Sequence, residues 1–189
     1  MVSPCSHQSD HGDATARFTT GITIGWRLPE AMVKTSCIRA RPLDAVAVSC
    51  GPGSYTGLRI GVSMAKGICY GRNIPLIGIP TLEVLCVPVL LHENLPEDAL
   101  LCPMIDARRM EVYAAVYDRA LDVKRAVAAD IVDENSYLEF LNERPVYFFG
   151  NGAAKCREKI THPNAHFIDK VHPLAKMMFP LAEKAIAKE

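Results

Sequence analysis

The eleven residues Gly51–Gly61, GPGSYTGLRIG, constrain this chain more than any other stretch. They follow the run Ala45–Cys50, AVAVSC, whose alternating small and branched apolar residues predict a buried strand. Gly51-Pro52-Gly53 ends that strand, because glycine opens positive φ and proline fixes its own. A helix must then begin beyond Pro52, with Ser54 or Thr56 placed to cap it. Leu58, Val62, Ala65 and Cys69 recur at helical spacing as one apolar stripe, while Gly57, Gly61 and Gly67 leave the helix surface bare. Glycine costs about 1 kcal/mol relative to alanine in a helix interior, so its repetition predicts close approach by another backbone or a ligand.

Three regions differ in character. Residues 1–41 show no sustained periodicity apart from a short TTGITIGW run, and nothing there predicts a good core element. Residues 42–98 read as strand, glycine turn and helix, then a strand at Ile74–Ile79, a short helix from Pro80-Thr81 and a linker over His92–Asp98. Residues 99–189 form a second unit. Leu100–Ile105 and Glu111–Tyr117 are predicted to pair as a hairpin around the charged turn Asp106–Arg109. A short helix over Tyr137–Asn142, a strand at Val146–Phe149, a Gly150-Asn151-Gly152 turn and a helix over Ala153–Ile160 follow. Leu174–Lys188 reads as an amphipathic helix interrupted by Pro180.

Composition excludes several functions. With 21 basic and 21 acidic residues the formal charge is zero, so the chain as a whole lacks the basic excess that binding nucleic acid by itself requires. Seven cysteines with no CxxC pair argue against a disulfide framework or a zinc ribbon. No apolar run reaches the length of a membrane span, and a cytoplasmic location is the expectation. The glycine turn has no GxxxxGK[ST] phosphate motif, and Ser54 is not in the GxSxG setting of a nucleophile. Cys5, His7, Asp10, His11 and Asp13 contain metal-ligand types but lack a scaffold to hold them, and read as a polar terminus. His162, His166 and His172 read as loop histidines.

GPGSYTGLRIG closely resembles the hallmark of the TsaB (YeaZ) family, GPGS[FY]TGLRIG after an apolar strand. The likeness runs through residues 44–85 and reappears in CPMIDARRMEVYAAVYD at 102–118 and around FFGNGA. It implies an α/β fold of the actin-like, sugar-kinase-like kind, two ribonuclease H-like subdomains. By the same resemblance the chain is a non-catalytic partner of a TsaD-type subunit in the threonylcarbamoyladenosine (t6A) modification of transfer RNA. A TsaE-type ATPase joins the complex, and transfer RNA is met only through it. Self-association is expected when the partner is absent.

Site expectations follow residue by residue. TsaD-type relatives carry His-x-Glu-x-His where this chain has Thr81-Leu82-Glu83-Val84-Leu85, so the resemblance predicts no metal and no catalytic residue. Gly57, Arg59, Gly61 and Lys66 are the expected partner surface. Arg108, Arg109, Gly150 and Gly152 are candidates for contact with ATP or ADP bound at the complex interface, their alternatives being a solvated hairpin tip and a plain strand-to-helix turn. The family's opening strand with Asp-Thr-Ser is not legible in residues 1–41, which read as disordered, diverged or frame-shifted, with the match starting at Pro42. The family usually continues beyond Glu189. Two other readings stay open, a small-molecule kinase or ATPase of the same fold and a non-functional fragment.

Overall fold

The structure is a computed structural model and describes residues 22–23 and 43–187. Two sheets organise it. A three-stranded sheet has the order β1 (Ile22–Thr23), β2 (Val46–Ser49), β3 (Leu76–Ile79), with β1 antiparallel and β3 parallel to β2. The β2–β3 crossover is α1, Tyr55–Arg72. Val46 and Val48 of β2 point towards Ala65 and Cys69 of α1, while Ala47 packs on the other side with Ile79, Val84 and Val87. This is the period-two alternation of a strand covered on both faces.

α2, Thr81–His92, lies between the sheets. Its sequence, TLEVLCVPVLLH, is apolar on nearly every side, as suits a helix buried from two directions. Val84 and Val87 face the three-stranded sheet, whereas Leu82, Leu85, Cys86 and Val89 face Leu101, Ile105, Ala115 and Phe149 of the larger one.

The larger sheet has the order β6-β5-β4-β7-β8. β4 (Leu100–Asp106), β5 (Glu111–Tyr117) and β6 (Val123–Ile131) form an antiparallel meander; β7 (Val146–Phe149) and β8 (Ala165–Ile168) add in parallel on the other side of β4. α3 (Leu138–Leu141) and α4 (Ala153–Cys156) cover the face away from α2. A 3₁₀ turn at Ala175–Met178 and α5 (Phe179–Ile186) return to the three-stranded sheet.

Several expectations need correcting. Ile22–Thr23 is a strand, its β-branched pair aligned with Val48 and Ala47, so the edge of β2 has a partner there. The other readings placed on residues 1–41, including the Cys5-to-Asp13 cluster, lie outside the described residues. Pro180 starts α5 instead of interrupting it, since the first turn has no need of that N–H. Regular helix after Gly152 ends at Cys156, four residues short of Ile160. β6 and β8 were not anticipated: β6 is alanine-rich and charged, and β8 is four residues beside a proline-containing loop.

Among the described residues no helix is long and apolar enough to cross a membrane. Cys69, Cys86, Cys102 and Cys156 are buried free thiols, and burial pushes Cys86 and Cys102 well above the ordinary thiol range.

Candidate functional site

Ser54 caps α1, its Oγ accepting from the Gly57 N–H at 3.5 Å. The preceding turn is tied to α2, because the Gly51 carbonyl accepts from the Thr81 N–H at 2.8 Å. The Thr81 hydroxyl is also engaged, 2.5 Å from Ser49 Oγ. Leu85 is 1% exposed and packs in the core between α2 and the larger sheet. Thr81 thus presents a bonded hydroxyl and Leu85 a core side chain at the two positions for which the resemblance drew its comparison with imidazoles.

Among the described residues, nothing covers the opposite side of α1. Tyr55, Arg59, Ile60, Ser63 and Met64 line a shallow groove there. Tyr55, Ile60 and Met64 are exposed, and Arg59 donates to the Tyr55 hydroxyl at 3.3 Å with its guanidinium 5.4 Å from the ring centre. Of the expected partner surface, Arg59 and Lys66 are exposed and Gly57 is half-buried. Gly61 is not outward: it is buried on the inward stripe with Ala65 and Cys69. Sequence reasoning overlooked Ile60 and Met64. Their spacing of four, off the core stripe, marks a second apolar strip on the helix.

The second pair of candidates comes together at one sheet end. Because β4 and β7 are parallel neighbours, the turns leaving them, Arg108-Arg109 and Gly150-Asn151-Gly152, are adjacent. Asn151 Oδ1 accepts from the Asp106 N–H at 3.1 Å, and the Gly152 N–H donates to the Met104 carbonyl at 3.1 Å. Lys155 on α4 holds the group together, bonded to the Asp106 carboxylate and donating to the Arg109 and Glu111 carbonyls, each at 2.7 Å. The Lys155 hydrogen bond, with further help from the Arg108 N–H, keeps the Asp106 carboxyl below the ordinary carboxylate range against the small effect of burial. Lys155 was missed, although a lysine in the first turn after GNG would have been placed here once β4 and β7 were paired.

The glycines have a local explanation. Gly150 has φ +101°, and a Cβ there would lie 2.3 Å from the Met104 carbonyl oxygen. A Cβ on Gly152 would lie 3.0 Å from the Asp106 nitrogen. What approaches both glycines is the backbone of β4. Arg108 and Arg109 are exposed at φ 75° and 46°, in left-handed conformations uncommon for such side chains. His166 stacks on Tyr147 with centroids 4.8 Å apart, and His162 Nδ1 accepts from the Asn164 N–H at 3.2 Å, so both serve local structure.

The family described as TsaD: tRNA N6-adenosine threonylcarbamoyltransferase matches residues 27–186. This chain belongs to that family, in its TsaB (YeaZ) branch. The match begins upstream of Pro42, where the resemblance was read to start. The tRNA threonylcarbamoyladenosine biosynthesis protein TsaB of Bacillus subtilis is 35% identical over 125 residues, covering 62% of this chain and 51% of that protein. TsaB of Escherichia coli is 35% identical over 88 residues, covering 47% of this chain and 37% of that protein. The chain thus spans about half the length, or less, of these curated relatives. YeaZ from Pseudomonas aeruginosa superposes with a TM-score of 0.66 at 23% identity, over 77% of this chain and 68% of that one. The fold is the mixed α/β, actin-like and ribonuclease H-like one.

Proposed function

We propose that this TsaB-type chain is a non-catalytic subunit of the t6A-forming complex, docking on a TsaD-type catalytic subunit through the outer face of α1. The observation that carries this reading is the exposed strip of Tyr55, Ile60 and Met64 on the helix that the family hallmark opens. Exposed apolar side chains on one helix face favour burial against another helix. Arg59 and Lys66 rim the strip and suit an acidic neighbour. Thr81 and Leu85 support the non-catalytic role, since neither side chain can ligate a metal as imidazole does. The exposed cations Arg108 and Arg109 are the groups this subunit would offer to the phosphates of an ATP or ADP held in the complex.

The test is reconstitution with a TsaD-type subunit, a TsaE-type ATPase, threonylcarbamoyl-adenylate and transfer RNA. The chain alone should give no modified nucleoside, and adding it to the other components should restore formation. Ile60→Glu and Met64→Glu should weaken co-purification with the TsaD-type subunit at least tenfold, with circular dichroism unchanged. Undiminished association of both variants would overturn the docking face. Product from the chain alone, abolished by a chelator, would overturn the non-catalytic role.

A further inference from the structure

Asn151 is followed by Gly152, and no other asparagine in the chain precedes a glycine. That pair is chemically vulnerable, because glycine lacks the side chain that would hinder its nitrogen from approaching the neighbouring amide. The Gly152 nitrogen, after losing its proton to hydroxide, can attack Asn151 Cγ; the Cγ–Nδ2 bond breaks, the departing nitrogen takes a proton from water and leaves as ammonia, and a five-membered succinimide remains. Water then opens the ring. Attack at Cγ leaves aspartate, whereas attack at the main-chain carbonyl leaves isoaspartate, its chain running through Cγ and longer by one methylene. The net change is amide and water to acid and ammonia.

In the fold both reacting groups are held by β4. The Gly152 N–H donates to the Met104 carbonyl at 3.1 Å, and Asn151 Oδ1 accepts from the Asp106 N–H at 3.1 Å. Ring closure requires both bonds to break, since the first holds the proton that must leave and the second fixes the side-chain carbonyl on the neighbouring strand. Lys155 braces the same strand end, bonded to the Asp106 carboxylate and to the Arg109 and Glu111 carbonyls. We propose that Asn151 is a deamidation site kept unreactive by its seat on β4, and that opening of the seam between β4 and the Gly150-Asn151-Gly152 turn converts it irreversibly. The seam has no room for the isoaspartyl product. A Cβ on Gly152 would already lie 3.0 Å from the Asp106 nitrogen, and one on Gly150 2.3 Å from the Met104 carbonyl oxygen, so a lengthened main chain cannot restore both strand contacts. The aspartyl product instead adds a negative charge beside Asp106, in a turn whose exposed cations are Arg108 and Arg109.

Mass-spectrometric peptide mapping of the full chain, aged in mildly alkaline buffer, tests the proposal. Asn135-Ser136 is the internal reference, because Asn135 is exposed in a turn. In denaturing urea Asn151 should convert faster than every other asparagine. In the folded chain it should convert more slowly than in urea by about tenfold or more, since two hydrogen bonds must be given up, while Asn135 changes far less. Lys155→Met, with circular dichroism unchanged, should speed the conversion of folded Asn151 and leave Asn135 as it was. A second reading needs no variant. Hydrogen exchange at the Gly152 amide breaks the same bond to Met104, so its rate and the Asn151 conversion rate should rise together along a series of sub-denaturing urea concentrations. Equal conversion of Asn151 in the folded and unfolded chain would overturn the proposal. So would an Asn135 that outpaces Asn151 in urea, or Gly152 exchange that accelerates with no change at Asn151.

Discussion

Ser49 and Thr81 share a hydrogen bond of 2.5 Å between their hydroxyl oxygens, at the seam where β2 ends and α2 begins. The Thr81 N–H meanwhile donates to the Gly51 carbonyl, so one residue ties both the strand and the glycine turn to α2. Both the hydroxyl and the backbone N–H of Thr81 are thus engaged by neighbours in this chain.

Thr81→Val should therefore lower stability by about 1 kcal/mol, the usual net worth of one hydrogen bond, with a further cost from leaving the half-buried Ser49 hydroxyl unpartnered. Leu85→His should cost more, about 2–5 kcal/mol, because it replaces a core side chain with a polar one. Urea unfolding of the two variants beside the parent chain measures both.

Two glycines should respond in opposite directions. At Gly150 an added methyl meets the Met104 carbonyl at 2.3 Å and the backbone is at φ +101°. Gly150→Ala should cost about 3 kcal/mol, since steric conflict and left-handed strain add. Gly67 is exposed on α1 with nothing within 4 Å of an added Cβ, so Gly67→Ala should raise stability by about 0.5–1 kcal/mol. Thermal melts of the pair check the signs as well as the sizes.

Acid sensitivity should centre on Asp130. Burial acts to raise its pKa, but hydrogen bonds from Arg125 and Tyr137 prevail and hold it below the ordinary range. A carboxylate lowered on folding stabilises the native state above its unfolded pKa, near about 3.9, and that contribution fades as pH falls towards the folded value. Asp130→Asn should thus be less stable than the parent at pH 7, by about 1–3 kcal/mol for the lost charged hydrogen bonds. The gap should narrow as pH falls below about 4. Urea midpoints of the two proteins along a pH series measure the convergence.

Much of this was legible because local signals agreed. The glycine turn, its serine cap and the stripe of Ala65 and Cys69 depend on residues near in sequence, and each was readable there. Gly61 was misplaced because a glycine has no side chain to announce its face; only burial assigns it to the inward stripe. β6 was invisible because an exposed edge strand needs no apolar alternation, and its alanines carry no strand preference. Lys155 joined the Arg108-Arg109 turn through the parallel pairing of β4 with β7, a relationship across more than forty residues that no local pattern encodes.

The last prediction concerns those arginines. Arg108 and Arg109 hold φ of 75° and 46°, conformations that glycine adopts freely and other residues at a cost of roughly 1 kcal/mol each. The turn is held by the Arg108 N–H donating to Asp106 and by Lys155 donating to the Arg109 carbonyl, and neither bond uses a guanidinium. Replacing Arg108 and Arg109 by glycine should therefore leave the turn intact and keep or raise stability, by up to about 1 kcal/mol after the entropy glycine adds to the unfolded chain. If these side chains face a nucleotide phosphate in the complex, the same double variant should weaken ATP or ADP binding by the reconstituted assembly about tenfold or more, the worth of a charged hydrogen bond. Calorimetric titration of nucleotide into parent and variant complexes, beside their unfolding curves, reads both quantities. Unchanged nucleotide affinity with raised stability would reduce the pair to a solvated hairpin tip.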